Sequence, residues 1–416
     1  MISYMPPKSP EECPTVLLLG TDTPIGLAIV RDLGRAGYRV IGIGHTERAL
    51  AGKSRYCSAH YVRAGRNEAL ILQIEQLAAE HDARFLMAIS EGDLLTLNRF
   101  RDRLEESIIP LLPTADMLTK VLDKNICQDY AEQAGIRTPK TRQFTSLDEV
   151  QSNLGQLSYP LVLKWGDPNA VAPLLEDAGL DMVKTGYART AEELLGQLAV
   201  YEPVGHYPMV QEYCPGFGLG QMFLVRDGRI LMEFQHERLH EWPPEGGVSS
   251  LCASVPLDQH VEIREKSRSL LEKLNWNGVA MVEYRFHPAS GTYYFMEING
   301  RFWGSLPLAT AAGVPFPSAL VACCGEGREI SELSDYKALK CCFLIPETKR
   351  LMRLLVQKNR IRDPFYRPDT LRSLLGYIAA PFRPDLCYYI FQWRDPKPFF
   401  SDLGGMLLKF ARLLRR

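Results

Sequence analysis

The sequence lacks three features that would assign its class directly. Its ten cysteines include no C-x-x-C pair, so neither a zinc site nor a disulfide framework is indicated, and we expect reduced, mostly buried thiols. No apolar run approaches the roughly 18 to 20 residues of a membrane span. The formal net charge is only -1 over 416 residues, which gives no overall attraction to nucleic acid or membrane. These absences predict a globular, cytoplasmic protein that binds no nucleic acid.

The first residues, 1–14, also lack the basic and apolar regions of a signal peptide. They contain proline and glutamate, and we expect a flexible leader. Apolar residues make up 46% of the whole sequence, which is enough to bury a sizeable core. At roughly 100 to 200 residues per domain, several domains are expected.

One predicted β-hairpin gathers acidic and amide side chains on a single face. Two runs rich in aromatic and β-branched residues flank a Pro/Ser/Gly turn near Ser290. Side chains alternate along a strand, so Glu297 and Asn299 share a face, and Glu283 joins them from the neighbouring strand. Facing carboxylates repel unless a cation neutralises them, and oxygen ligands favour Mg²⁺ or Mn²⁺ over zinc. An exposed hairpin with ordinary surface acids is the alternative.

The N-terminal region predicts a parallel α/β unit. Gly20 and Gly26 indicate a tight turn into a helix N-terminus, where an anion could bind. However, the G-x-G-x-x-G spacing is absent and His45 stands where a dinucleotide site would have an acid, so a structural role for the glycines is preferred. The predicted strand, helix and second strand are Val16–Leu19, Leu27–Gly37 and Tyr38–Ile43.

Polar residues follow a further predicted strand, Phe85–Ile89, at the edge where open α/β sheets bind ligands. These residues, Ser90–Asp93, could contact a ligand, or Ser90 or Asp93 could cap a helix by accepting from free backbone N–H groups. We favour the helix cap.

Glu283 and the stretch Phe295–Ser305, which includes Arg301, resemble the metal-binding end of the ATP-grasp superfamily. The resemblance is to its carboxylate-amine ligase-like branch, the type found in carbamoyl phosphate synthase large chains and biotin carboxylases. It covers about 16–325 and implies a mixed α/β and α+β fold. The implied parts are a Rossmann-like parallel-sheet domain at 15–114, a two-lobed ATP-grasp domain at 115–325 and a basic C-terminal extension at 326–416.

The resemblance also implies an ATP site. Lys124, on a helix expected from Ala115 to Gly135, would reach the nucleotide phosphates. Lys164 ends the apolar strand that begins at Leu161, where core packing does not explain a charge and a phosphate would. Lys184, on the next strand, is a third phosphate ligand. The adenine edge would meet the main chain of a hinge formed by Gln211, Glu212, Tyr213 and Cys214.

Two departures from the family pattern stand out. The phosphate lid is usually rich in glycine, but Gly166–Asp177 contains few, which leaves open a longer loop that folds over substrate, or reduced turnover. Gly218 occupies the place of the glutamate that many related enzymes use for the ribose hydroxyls. The ribose contacts are therefore unassigned.

A second hairpin, with its turn at Asp227–Gly228, leads into a predicted functional loop at His236–Ser250. Here Arg238 and the backbone of Gly246–Gly247 would hold a carboxylate or an acyl phosphate. The alternative is an ordinary surface loop with two solvated histidines.

The C-terminal part is rich in Lys, Arg and aromatic residues, and Met406–Arg416 predicts a basic amphipathic helix. Such a helix could lie on the inner face of an anionic membrane or bind an acidic partner. A helix packed on the enzyme with its basic residues in water is the favoured alternative. A homo-oligomer is compatible with the sequence.

These features predict an ATP- and Mg²⁺-dependent ligase that joins a small-molecule carboxylate to an amine through an acyl phosphate. Glu283, Glu297 and Asn299 would hold the metal, and Arg301, with Arg238, would neutralise charge at the reacting centre. The alternatives are a non-catalytic nucleotide-binding protein of the same fold and a nicotinamide-dependent oxidoreductase.

Overall fold

The computed structural model describes residues 14–166, 168–183, 185–244, 246–333, 335–361, 363, 366 and 368–414. The side chains of 168–170 and 406–414 are outside that description. All but the last residue of the expected leader, 1–14, lies outside the described residues, as does Lys184.

The N-terminal part is a parallel α/β domain whose sheet has the order β3-β2-β1-β4-β5. The predicted strand-helix-strand unit is confirmed, with its helix beginning at Pro24 and ending at Arg35. The strands are β1 (Thr15–Leu19), β2 (Arg39–Gly44), β3 (Ala59–Val62), β4 (Ala83–Met87) and β5 (Ile109–Pro110), and the helices are α1 (Pro24–Arg35), α2 (Glu68–His81), α3 (Glu91–Arg99) and α4 (Arg101–Glu105).

The first glycines serve the turn between β1 and α1. Gly20 has φ +99°, a conformation that side chains disfavour, and a Cβ on Gly26 would lie 2.5 Å from the carbonyl oxygen of Gly20. Thr23 accepts from the N–H of Gly26 and caps the helix. Ser90 likewise accepts from the N–H of Asp93 at the start of α3, which confirms the cap predicted there.

The middle of the chain forms helices around a small antiparallel sheet of order β6-β9-β7-β8. The single helix expected over 115–135 is wrong: Asp123 leaves the helical conformation, with ψ 112°, and its side chain caps a second helix that begins at Lys124. The elements are α5 (Ala115–Leu122), α6 (Lys124–Gln133), β6 (Thr141–Arg142), α7 (Leu147–Asn153), β7 (Leu161–Lys164), α8 (Pro168–Asp177), β8 (Gly186–Ala188), α9 (Ala191–Ala199) and β9 (Met209–Glu212).

The glycine-poor lid is a helix rather than the longer loop left open from the sequence. Pro168 lies at its start, where a missing N–H costs nothing. Leu175 is buried in the core under the small sheet, which anchors the helix. This segment therefore contains apolar residues that can pack, where a glycine-rich segment would have a more flexible backbone.

The large sheet follows, in the order β14-β13-β10-β11-β12-β15-β16. The hairpin with its turn at Asp227–Gly228 and the hairpin around Ser290 are both confirmed. The predicted loop at His236–Ser250 is mostly strand, since β11 continues to Trp242 through irregular register and leaves only a short connection before Val248. The elements here are β10 (Phe217–Arg226), β11 (Arg229–Trp242), β12 (Val248–Ser254), α10 (Val261–Lys273), β13 (Gly278–His287) and β14 (Thr292–Asn299).

The C-terminal part completes this sheet instead of standing apart from it. β15 pairs antiparallel with β12, and β16 pairs parallel with β15. Arg31 of α1 forms a buried ion pair with Asp395 at 2.9 Å, which ties the C-terminal part to the first domain. The elements are α11 (Leu306–Ala312), α12 (Phe316–Leu320), β15 (Lys340–Cys342), α13 (Leu344–Val356), α14 (Thr370–Ala379), β16 (Leu386–Tyr388) and α15 (Lys397–Leu414).

No single described helix has the length and apolar composition to cross a membrane; α11 and 316–325, bent by 88°, meet that test only as a pair. The described cysteines are free and mostly buried, as expected.

Candidate functional site

A cleft of about 680 Å³ separates the small sheet from the large sheet. Its lining includes most of the residues singled out from the sequence, although they come from elements far apart in the chain. They are Lys124, Lys164, Gln211, Glu212, Tyr213, Cys214, Arg238, Glu283 and Glu297.

The acidic end of the cleft has the geometry predicted for the hairpin. Glu283 pairs directly with Glu297 across β13 and β14, and a register shift follows immediately after Glu283. Asn299 is buried and donates from Nδ2 to Oε1 of Glu297 at 3.0 Å. Two carboxylates and a carboxamide therefore meet on one face, as the alternation of side chains predicted.

These ligand types fit a magnesium ion. Mg²⁺ is commonly held by one or two carboxylates while substrate phosphates and water complete its octahedron. Among the described residues no cluster of three or more His, Cys, Asp or Glu side chains could hold a metal. The set Glu283, Glu297 and Asn299 thus suits an ion that arrives with a nucleotide better than a permanently enclosed structural ion.

Arg238 supplies the positive charge next to these acids. Its Nη2 donates to Oε2 of Glu283, and its Nη1 lies 3.4 Å from Oε1 of Glu241. A Cβ on Gly218 would be only 2.7 Å from Cδ of Arg238, so the glycine leaves room for the arginine to cross β10. Burial lowers the pKa of Arg238, but the carboxylates of Glu283 and Glu241 outweigh it and the net pKa is raised.

Two lysines also line the cleft. Lys164 ends β7 and its Nζ is 3.5 Å from Oε1 of Gln211, while Nζ of Lys124 donates to the carbonyl of Trp165 at 3.3 Å. Burial lowers the pKa of Lys164. Over the described ranges neither lysine forms an ion pair with a carboxylate, so an anionic ligand is the natural partner for both.

The hinge begins at the end of β9, an inner strand of the small sheet, and its side chains mostly serve structure. Gln211 donates to Oγ1 of Thr141 at 2.9 Å, and Glu212 pairs with Arg137 at 3.0 Å. The hydroxyl of Tyr213 lies 3.4 Å from Asp363. Main-chain contacts, which the resemblance implies for a nucleotide base, leave such side chains free for these roles.

Arg285 holds the hinge and was not singled out from the sequence. Its Nε donates to the carbonyl of Cys214 at 2.9 Å, and its Nη2 donates to the carbonyl of Gly216. The signal was present, because strand alternation puts Arg285 on the same face as Glu283. Asp363 and Tyr366 also line the cleft, but they come from the C-terminal part and no local pattern marked them.

Arg301 is not brought into the cleft. The turn after β14 carries it toward the first domain, where Nη2 pairs with Oε1 of Glu91 at 2.9 Å. It lines a separate cavity of about 440 Å³. The expectation that Arg301 and Arg238 act at one centre is therefore not met by this arrangement.

The two histidines near Arg238 both have protein partners, and His236 is buried while His240 is partly exposed, which corrects the surface-loop alternative. His236 is buried with Nδ1 2.7 Å from Oγ of Ser305, and burial, then the charge of Arg238, lowers its pKa to about 3. Nδ1 of His240 lies 2.8 Å from Oε1 of Glu347 in α13. Both histidines lie on β11 and connect the large sheet to its neighbours.

Comparison with known proteins places this arrangement among ATP-binding folds. The family model described as "Carbamoyl-phosphate synthase L chain, ATP binding domain" matches residues 253–330. Acetyl-CoA carboxylase 2 of Oryza sativa subsp. japonica is 25% identical over 185 residues. That match covers 43% of this chain and 7% of the plant protein, so the chain spans a small part of that relative's length.

Solved structures resemble the chain over a longer stretch. N5-carboxyaminoimidazole synthetase from Staphylococcus aureus, complexed with ADP, is 14% identical with a TM-score of 0.62, covering 86% of this chain and 90% of that one. The biotin carboxylase domain of 2-oxoglutarate carboxylase from Hydrogenobacter thermophilus, with MgADP and bicarbonate, is 16% identical with a TM-score of 0.59, covering 78% and 73%.

These matches confirm the resemblance to the ATP-grasp superfamily and show the fold.

Proposed function

We propose that the chain is an ATP- and Mg²⁺-dependent ligase that joins a carboxylate to an amine. The observation that carries the proposal is the cleft, in which two lysines without carboxylate partners among the described residues face a carboxylate pair that suits a hard cation. A cleft lined by both cations and metal-binding oxygens matches the charges of a magnesium nucleotide.

The phosphates of ATP would lie against Lys124 and Lys164, with Lys184 a third proposed ligand. The main chain around Glu212 and Cys214 would bind the adenine edge. Glu283, Glu297 and Asn299 would hold Mg²⁺, or Mn²⁺, which neutralises phosphate charge when bound. The ADP and MgADP present in similar structures support this assignment of nucleotide and metal.

The reaction needs no nucleophile from the protein. An oxygen of the substrate carboxylate attacks the γ-phosphorus, the bond to the β-phosphate oxygen breaks, and ADP leaves. The amine nitrogen then attacks the acyl carbon of the acyl phosphate, the carbon–oxygen bond breaks, inorganic phosphate leaves and the nitrogen loses a proton. The chain contributes orientation and electrostatic stabilisation.

Arg238 is the cation proposed to offset charge at the acyl phosphate, because it already lies against Glu283 inside the cleft. Arg301 would take part only if its ion pair with Glu91 opened.

The test is release of ADP and phosphate from ATP in the presence of pooled carboxylates and amines. We expect release that needs both substrates, and a fall on the order of 100-fold or more in Glu297→Gln because a metal ligand is lost. Glu265→Gln, which changes an exposed acid on α10, is the matched control.

Retained ATP binding without release across a broad panel would contradict the ligase and favour a non-catalytic nucleotide-binding protein. Equal release by Glu297→Gln and the wild type would contradict the metal site.

A further inference from the structure

Helix α14 presents an apolar stripe to solvent. Leu371, Leu375 and Ile378 are 66%, 58% and 60% exposed and lie one helical turn apart on one side. Phe382, just beyond the helix, is 86% exposed. No residue of α14 is buried, although an amphipathic helix normally gains its stability by burying such a stripe.

Helix α13, which packs against α14, carries a second stripe. Its Leu351 and Leu354 are buried beneath it, while Met352, Leu355 and Val356 are exposed. The hydroxyls of Thr348 and Tyr377 lie 2.6 Å apart and join the two helices. We call the exposed apolar residues of both helices, together with Phe382, the apolar face. Exposed apolar residues grouped on two adjacent helices are typical of an interaction surface.

Basic residues outnumber acidic ones in the part of the chain that carries the apolar face. Residues 344–405 contain 11 Lys and Arg and 6 Asp and Glu, against 33 and 43 in residues 1–343. The chain is therefore acidic outside this region and basic within it. Exposed basic side chains on or next to the two helices include Lys349, Lys358, Arg360 and Arg372.

The charge decides which partner fits. A symmetric dimer through this face would bring two surfaces with the same excess of basic residues together, and these surfaces repel. An anionic partner is attracted instead, and a partner that also accepts Leu, Ile and Phe side chains without specific pockets is a lipid surface. We propose that the apolar face lies on an anionic lipid surface, with its basic residues against the headgroups.

This inference is independent of the proposed enzymatic activity. It also does not use the terminal residues Met406–Arg416, whose side chains are outside the described part of the chain.

Sedimentation of the full chain with lipid vesicles tests it. We expect binding to phosphatidylcholine vesicles that contain phosphatidylglycerol, weaker binding to phosphatidylcholine alone, and weakening by salt. The double variant Leu375→Ser/Phe382→Ser should lower the vesicle affinity about tenfold or more because apolar surface no longer enters the bilayer. The double variant Lys358→Glu/Arg372→Glu should also lower the vesicle affinity, because it replaces positive charges that attract the anionic headgroups.

Leu72→Ser/Leu95→Ser is the matched control, since both leucines are exposed on the first domain, at 53% and 41%. Circular dichroism and melting temperatures would verify that every variant is folded. Absence of binding to the anionic vesicles, or equal binding by the wild type and Leu375→Ser/Phe382→Ser, would overturn the proposal. Self-association by light scattering that Leu375→Ser/Phe382→Ser abolishes would assign the face to a second copy instead. Equal binding to vesicle-free polyglutamate would assign it to an acidic polypeptide.

Discussion

At the scale of single residues, Gly218 and Arg238 form a matched pair. The resemblance implies a ribose-binding glutamate at this position, but the glycine leaves space that the arginine side chain fills where it reaches Glu283. The absence of a ribose-binding glutamate at this position thus makes room for the arginine side chain and positions its guanidinium group.

Gly218→Ala should displace that cation. The new Cβ would lie 2.7 Å from Cδ of Arg238, so the guanidinium must shift away from Glu283. We expect turnover to fall on the order of tenfold or more, as for residues that orient metal ligands, with little change in melting temperature. Gly196→Ala, on a helix with nothing within 4 Å of the added Cβ, is the control. Unchanged kinetics in Gly218→Ala would remove Arg238 from the proposed mechanism.

Lys164→Met should weaken nucleotide binding. The variant keeps the length of the side chain but loses a charge-assisted contact with phosphate, which corresponds to about 10- to 100-fold in affinity. Isothermal titration with MgATP would measure this. Lys266→Met, at an exposed lysine of α10, should bind like the wild type, and equal affinities in all three proteins would place the phosphates elsewhere.

At the scale of elements, α1 is joined to the segment before α15 by a buried charge pair. Arg31 and Asp395 are both about 1% exposed, and Asp395 also accepts from Oγ of Ser54 and from the N–H of Arg55. The buried carboxylate of Asp395 therefore depends on these donors for stabilisation of its negative charge.

Arg31→Met should destabilise the protein by about 3 to 5 kcal/mol because it leaves the Asp395 carboxylate buried without its charge partner. Urea denaturation followed by circular dichroism would measure the free energy of unfolding. The double variant Arg31→Met/Asp395→Leu should recover part of the loss, since neither charge is then buried. A double variant less stable than Arg31→Met would contradict this account.

The contact between α13 and β11 should make the free energy of unfolding depend on pH in the acidic range. Burial raises the pKa of Glu347, but hydrogen bonds from His240 and Arg350 outweigh it and lower the pKa to about 2 from an ordinary 4.5. A group whose pKa is depressed in the folded state stabilises above its unfolded pKa and loses that contribution as pH falls. We therefore expect about 3 kcal/mol to be lost between pH 4.5 and pH 2.

Unfolding free energies at several pH values would show this loss, and Glu347→Gln should flatten the curve over that window. A variant with the same slope as the wild type would exclude Glu347 as its source.

At the scale of the whole molecule, the C-terminal part is integral to the fold. β15 and β16 extend the large sheet, α13 packs against β11, and Asp363 and Tyr366 reach the cleft. Ligand binding in the cleft should consequently be felt by both sheets and by the C-terminal part together.

MgATP should raise the melting temperature, whereas NAD should not. A ligand that binds only the folded state at about 100 times its dissociation constant adds about 2.7 kcal/mol. Differential scanning fluorimetry with MgATP, ATP plus EDTA and NAD would compare them, with the smallest ATP effect expected when the metal is removed. Stabilisation by NAD alone would contradict the ATP site and support the oxidoreductase alternative.

Local sequence patterns were sufficient to predict those features of the fold and of the candidate site that depend on neighbouring residues. The parallel strand-helix-strand unit, the Asp227–Gly228 hairpin and the facing pair Glu283 and Glu297 follow from periodicity and turn chemistry, which act over a few residues. Lys164 was also found locally, because a charge at the end of an apolar strand needs a partner.

Contacts between segments that are distant in the chain became visible only in the assembled fold. The pairing of Arg301 with Glu91 and the use of Gly218 by Arg238 involve residues that no local pattern relates. The strand at His236–Trp242 is formed because β12 pairs with it along its length and β10 pairs with its first two residues. The α8 helix and the apolar face likewise depend on which surfaces the rest of the chain covers, since burial is a property of the assembled fold.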